Sequence, residues 1–255
     1  VPKLVAVPAP RRDEDLEDPV AEEPPKLVPL SEITVIDHPR DPTNLAPLDA
    51  VLGGGLVIGS VVVISAQAGA GKSTLAMQML AGLDLRALYA TGEESIEQIA
   101  PRAHRVGATS RKIYPAAETD VDKIIAHARA LKPRVIVIDS IHTLVASDVK
   151  GYPGSPAQSR ESVRRIVEFA KGEGITTWLI GHVDKEGLLA GPATLGHLVD
   201  VVLDLEVGAR RAGAERILRA TKNRFGATTS RGYFVMGSEG LEPMDEDGWD
   251  EEPFH

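Results

Sequence analysis

Between Val61 and Gln78 the chain reads VVVISAQAGAGKSTLAMQ: a continuous apolar run, a glycine-rich turn, then residues suited to a helix. No other stretch restricts the architecture as much. An apolar run without alternation marks a strand buried on both faces, and so a sheet covered by helices on either side. The turn ends in Gly71-Lys72-Ser73-Thr74. Its glycines let main-chain N–H groups converge on an anion at the positive end of the next helix. Ala66 stands where the usual pattern has its first glycine, at the start of the turn, where the backbone need not approach a phosphate closely. Gly69 and Gly71, the close-approach positions, are kept. We therefore read Gly69, Ala70, Gly71, Lys72, Ser73 and Thr74 as a cradle for a nucleoside triphosphate. Lys72 reaches the β- and γ-phosphates and Ser73 ligates Mg²⁺, so ATP and Mg²⁺ are the expected cofactors.

The remainder of the chain alternates between strand and helix periods. The runs ALYAT (87–91), RVIVIDS (134–140) and ITTWLIGH (175–182) read as further buried strands. A helix is expected from Lys72 to about Leu83. Another runs through Ile96, Ile99 and Ala103, with Pro101 kinking it or delaying its start. A third is opened by a capping box of Thr119 and Asp122, and a fourth starts at Ser155-Pro156. VDVVLDLEV, ERILRATKN and RGYFVMG read as an antiparallel meander. The fold class is α/β, a mainly parallel twisted sheet flanked by helices and closed by a C-terminal β meander. Residues 1–32, rich in Pro, Glu and Asp, read as a disordered tail, 33–242 as the folded domain, and 243–255 as an acidic flexible tail.

Hydrolysis at such a cradle needs a carboxylate that holds the metal's waters and a base that orients the attacking water. Asp139, closing VIVID, fits the first role, acting on Mg²⁺ through water. Glu93 and Glu94 follow directly on LYATG, at the carboxyl edge where open sheets hold their ligands. Glu93 is the base of choice and Glu94 its aid or a partner of a helix dipole, although both also suit a plain helix start. His182 ends its strand at the same edge and is placed to sense the γ-phosphate.

Composition narrows the partners. The net charge is −9, but residues 1–32 hold four bases and eight acids, and residues 239–255 hold eight acids and no base. Those ends carry −4 and −8, which leaves +3 for residues 33–238. A mildly basic body between acidic ends is compatible with a nucleic-acid partner. There is no cysteine, hence no disulfide and no cysteine-bound zinc. No apolar run reaches the roughly 18 residues that span a bilayer, so no membrane role and a cytoplasmic location are expected. The acidic MDEDGWDEEPFH segment, with Trp249 and Phe254, reads as solubilising or as a mobile competitor for a basic channel.

In order along the chain, LDAVLGGGLVIGS, the phosphate turn, YATGEES, AETD, VIDSIHTL, GHVDKEG, AGPATLGHLVD and ILRATKNRFGAT resemble the bacterial RadA/Sms proteins. These are RecA-like P-loop NTPases, related to KaiC and to the DnaB-type hexameric helicases. The resemblance covers about residues 40–242, and Lys222-Asn223-Arg224-Phe225-Gly226 is its most specific element. It implies a homo-oligomer, a hexameric ring on single-stranded DNA, with ATP between protomers. ATP hydrolysis would drive branch migration or unwinding in recombination and repair, with a recombinase or single-stranded-DNA-binding protein as partner. Lys222 and Arg224 would act in trans as cationic fingers on a neighbour's γ-phosphate. The zinc and Lon-like modules usual in that family have no counterpart in this sequence, and Ala193 and Gly196 replace its usual arginine and glutamate. DNA-binding candidates are Lys150, Tyr152 and Arg160, in a segment (145–160) expected to order only on a ligand, and Lys185. A minimal plasmid- or phage-type replicative helicase and a KaiC-like regulatory ATPase that ignores DNA are the alternatives.

Overall fold

The computed structural model describes residues 28–32, 38–182, 195–208 and 213–244. The chain divides into a unit of residues 1–37 and a unit of residues 38–255. In the first, the described residues form a 3-10 turn, Leu30–Glu32, closed by Glu32 N–H donating to the Pro29 carbonyl at 2.9 Å.

Among the described residues, the second unit is built on a sheet of nine strands. They are β3 (Val61–Ala66), β4 (Ala87–Thr91), β5 (Ile113–Ala117), β6 (Val135–Asp139), β7 (Thr176–His182), β8 (Val201–Val207), β9 (Glu215–Asn223), β10 (Arg231–Gly237) and β11 (Gly240–Met244). Their order in the sheet is β11-β10-β9-β8-β3-β7-β6-β4-β5. From β8 to β5 all neighbours are parallel, and β9, β10 and β11 close the sheet antiparallel. A separate antiparallel ribbon joins β1 (Arg40–Asp41) to β2 (Leu56–Val57). The helices are α1 (Ala46–Leu52), α2 (Lys72–Leu83), α3 (Ile96–Arg105), α4 (Val121–Leu131), α5 (Pro156–Glu173) and the short α6 (Leu195–Leu198).

The period-2 geometry of a strand explains why the apolar runs are unbroken. Val62 and Ile64 pack on one face with Leu75, Ala76, Met79 and Leu80 of α2 and with Leu48 of α1. Val61 and Val63 pack on the other with Ile124 of α4 and Val163, Ile166 and Ala170 of α5. Each strand residue therefore meets a helix whichever way it points. Because β3 sits between β7 and β8 while β4, β5 and β6 lie on one side, the chain reverses its direction of progress beside β3. A crevice outside the carboxyl ends of the strands is expected at such a point.

Three local features differ from what the sequence predicts. α3 starts at Ile96, held by a reciprocal Ser95–Gln98 capping box, so Pro101 does not delay it and sits in its interior. At α4 the cap is Asp120, whose carboxylate accepts from the amides of Asp122 and Lys123 at 2.9 and 3.3 Å. Thr119 is instead tied to the preceding loop, with its amide on the Glu118 carboxylate and its carbonyl accepting from Val145. The segment after β6 does not wait for a ligand. Gln158, buried on α5, accepts from the Ala146 amide at 2.8 Å and donates to the carbonyls of Ala146 and Val149 at 3.2 and 2.6 Å. A buried amide satisfied on both sides fixes that loop from within.

Candidate nucleotide site

Four strand ends define the edge where the site lies. Ala66 is level with His182, Ser65 with Gly181, Ile180 with Asp139, and Asp139 with Thr91. The carboxyl ends of β3, β4, β6 and β7 therefore stand side by side.

The turn after β3 has the conformation that its glycines permit. Gly69 and Gly71 have φ of 78° and 108°, in the left-handed region that other residues resist. A Cβ at Gly71 would meet the Met236 methyl at 2.5 Å, so this glycine also lets the turn pack on β10. Gly71 caps α2 without a side chain, which leaves the first-turn amides facing the turn's concavity. Ala66 is buried in the α2-side core, so its methyl stays clear of the concavity. Ala70 is fully buried, and its carbonyl accepts from Nε of Arg216 at 2.6 Å. The Lys72 ammonium folds back on the carbonyls of Ala66 and Gln67 at 2.9 and 3.2 Å. Burial lowers its pKa, and the carboxylates of Asp139 and Glu93 act in the opposite direction. Both carboxylates thus lie within electrostatic reach of Lys72. The donor set fits a polyphosphate, with backbone amides, an ammonium and a helix start converging where side chains are absent.

The groups around the turn are held from behind. Tyr89, fully buried on β4, donates its phenol to Oδ2 of Asp139 at 2.5 Å, and Ser73 interacts with the same phenol. A hydroxyl and a carboxylate so placed fit a hard divalent cation that keeps most of its waters. Ser140 donates to Oε1 of Glu93 at 2.5 Å, while Glu94 is paired with Arg102 of α3. Glu93 is exposed to solvent at the mouth of the site, and Glu94 less so. A cleft of about 400 Å³ opens beside the turn, lined by Ser65, Gln67, Asp204, Glu206 and Arg219.

Lys72, Ser73, Glu93 and Asp139 are thus brought together, whereas Lys222 and Arg224 are not. Lys222 pairs with Val202 and Asn223 with Val201, and Val201 is level with Val62. That is the amino end of β3, the edge opposite the turn. There Lys222 donates to the carbonyls of Gly196 and Val199, both at 2.7 Å, and Arg224 to the Asp200 carboxylate at 3.0 Å. Burial, and then Arg224, lower the pKa of Lys222. The rest of the signature builds the turn. Asn223 accepts from the Phe225 amide at 2.9 Å, and the Phe225 ring stands edge-on to His38. Arg40 donates to the Phe225 carbonyl at 2.9 Å.

Lys150 and Tyr152 are exposed on the Gln158-anchored loop, Tyr152 at 75%, and Arg160 is exposed on the first turns of α5. Lys185, Ala193 and the side chain of His182 fall outside the described residues, as do residues 1–27 and 245–255. Tyr89, Ser140 and Arg216 were missed from sequence. Arg216 had a readable signal, since it shares strand parity with the buried Leu218 and Ala220. Tyr89 showed itself only as a hydroxyl inside an otherwise apolar run. Among the described residues no helix is long and apolar enough to cross a membrane.

Comparison with known proteins agrees with this geometry. Residues 23–187 match the family described as AAA domain. The chain is 48% identical over 220 residues to the DNA repair protein RadA of Pseudomonas aeruginosa, which covers 86% of this chain and 48% of that protein. It is 43% identical over 219 residues to RadA of Bacillus subtilis, covering 85% and 47% respectively. The chain spans about half the length of the curated relatives it matches. A KaiC-like protein from Pyrococcus horikoshii superposes with a TM-score of 0.65 at 18% identity, over 82% of this chain and all of that one, and so shares the fold.

Proposed function

The chain belongs to the AAA-domain family and is similar to part of the RadA proteins; from that premise we propose that it is a Mg²⁺-dependent ATPase acting as a single-stranded-DNA motor. The observation that carries the ATPase reading is the convergence of Lys72, Asp139 and Glu93 at one sheet edge. ATP is held by the amides of residues 69–74 and by Lys72, whose ammonium leaves the Ala66 and Gln67 carbonyls for the β- and γ-phosphates. Ser73 and Asp139 hold the metal, which when bound neutralises charge on the transferring phosphoryl group. Glu93, kept in orientation by Ser140, accepts the proton of the attacking water. Glu94, tied to Arg102, steadies the start of α3 beside it. His182 senses the γ-phosphate from the end of β7.

Lys222 and Arg224 complete the site of a second copy. They lie across the sheet from their own cradle, a separation that supports action in trans. This requires a closed homo-oligomer, for which we propose a hexameric ring. Lys150, Tyr152 and Arg160, on the loop and helix start that follow β6, would meet the DNA backbone and bases, together with Lys185. The work done is branch migration or unwinding in recombination and repair.

The test is ATP turnover with and without oligo-dT. Stimulation by DNA, with loss of nucleotide binding in Lys72→Ala, is expected. Arg224→Ala should keep nucleotide affinity and lose about 10³-fold in turnover, the scale of an arginine finger. Turnover indifferent to DNA, with no DNA retained on filters, would point instead to a regulatory ATPase.

A further inference from the structure

We propose that Tyr89 is a positioning residue of the metal site, fixing Asp139 through the hydrogen bond it donates to it. This rests on the reading of Ser73 and Asp139 as the groups that hold Mg²⁺. Tyr89 and Val137 are level on adjacent strands, and Asp139 is two residues beyond Val137 on the same face. The phenol therefore lies alongside that face and meets Asp139 at the strand's end. Tyr89 is completely buried in the core that also holds Val135, Val137 and Trp178. Phenylalanine would fill such a place as well, and a buried hydroxyl is tolerated only where it finds partners. Its partner is Asp139, a residue assigned to the cation.

The hydrogen-bond direction follows from the chemistry. A phenol has one proton, which goes to Oδ2 of Asp139, so the carboxylate accepts. Asp139, engaged at one oxygen by a rigid donor, is held in one rotamer and offers the other oxygen to a metal-bound water. Outer-shell partners of this kind typically alter metal affinity by about 10–100-fold when removed.

The experiment uses the full chain and fluorescent N-methylanthraniloyl-ADP, read at equilibrium without turnover. Mg²⁺ is titrated against wild type, Tyr89→Phe and Asp139→Asn. In Tyr89→Phe the Mg²⁺ concentration for half-maximal nucleotide binding should rise about tenfold, while affinity in EDTA stays at the wild-type value. A merely structural role would lower the melting temperature and leave the Mg²⁺ midpoint in place, and that result would overturn the proposal. Should phenylalanine prevent folding, Tyr89→Met supplies an adaptable apolar filler for the same comparison. Asp139→Asn separates the two levels of the argument. If it fails to shift the midpoint, the metal-site reading is wrong; if it shifts and Tyr89→Phe does not, only the positioning role of Tyr89 is.

Discussion

Asp200, at the amino edge of the sheet, gathers three partners. It is 4% exposed, yet Oδ2 accepts from the Val61 amide and Oδ1 from both Lys171 and Arg224, each at 3.0 Å. Burial raises its pKa, and the amide and two cations together outweigh that effect, so the net shift is downward from 3.8. A folded-state pKa below the unfolded one adds stability that is present above 3.8 and lost as pH falls through the folded value. Asp200→Asn should therefore cost about 1–3 kcal/mol near neutral pH, with Lys171 and Arg224 still able to turn to solvent. Below pH 3.8 the urea midpoints of variant and wild type should converge; a constant gap down to pH 2 would refute the assignment. Asp200 was invisible in the sequence, because DVVLDLEV reads as a strand whichever carboxylate is buried. Lys72, Ser73, Asp139 and Glu93 were legible because a motif fixes their place relative to strand ends. Tyr89 and Arg216 act from behind the motif, and side-chain reach across strands has no sequence spacing.

Among the elements, the loop that follows β6 shows how a single helix residue can set the order of a neighbour. Gln158 lies on the buried side of α5 beside Ser159 and Ser162, a polar strip where an apolar one would be expected. Its amide closes residues 146–151 onto the helix, which positions Lys150 and Tyr152 at the carboxyl edge. Gln158→Leu should strand the Ala146 amide and the Val149 carbonyl and cost about 1–3 kcal/mol. Limited proteolysis should then cut within residues 146–155 far faster than in wild type, while the other loops keep their rates. Composition suggested an unstructured segment because Gly151, Pro153 and Gly154 dominate it, and Gln158, although inside that stretch, carries no mark in the sequence that it is buried. The central strands were readable since burial on both faces leaves an unbroken apolar run. β5 and β11 were not: both lie at sheet edges and carry Pro115 or Pro243, which breaks the pattern that identifies a strand.

For the whole molecule, the decisive fact is that one copy holds its cradle and its cationic turn on opposite edges of the sheet. If each seam takes a cradle from one copy and fingers from the next, turnover per molecule should climb with protein concentration. Lys72→Ala and Arg224→Ala proteins, each inactive alone, should regain roughly a quarter of wild-type turnover when mixed in equal amounts, as random head-to-tail pairing requires. A mixture as inactive as its components would exclude a shared site. β9 joins these two functions in a single stretch of backbone. Near its start Arg216 grips the Ala70 carbonyl of its own phosphate turn, and just past its end stands Arg224. The eight steps between them span ~26 Å of extended chain. In a ring of such copies this yardstick would set the spacing of successive fuel stations, and two added residues would carry Arg224 about 7 Å past Asp200, breaking that ion pair while Arg216 keeps its hold on the Ala70 carbonyl.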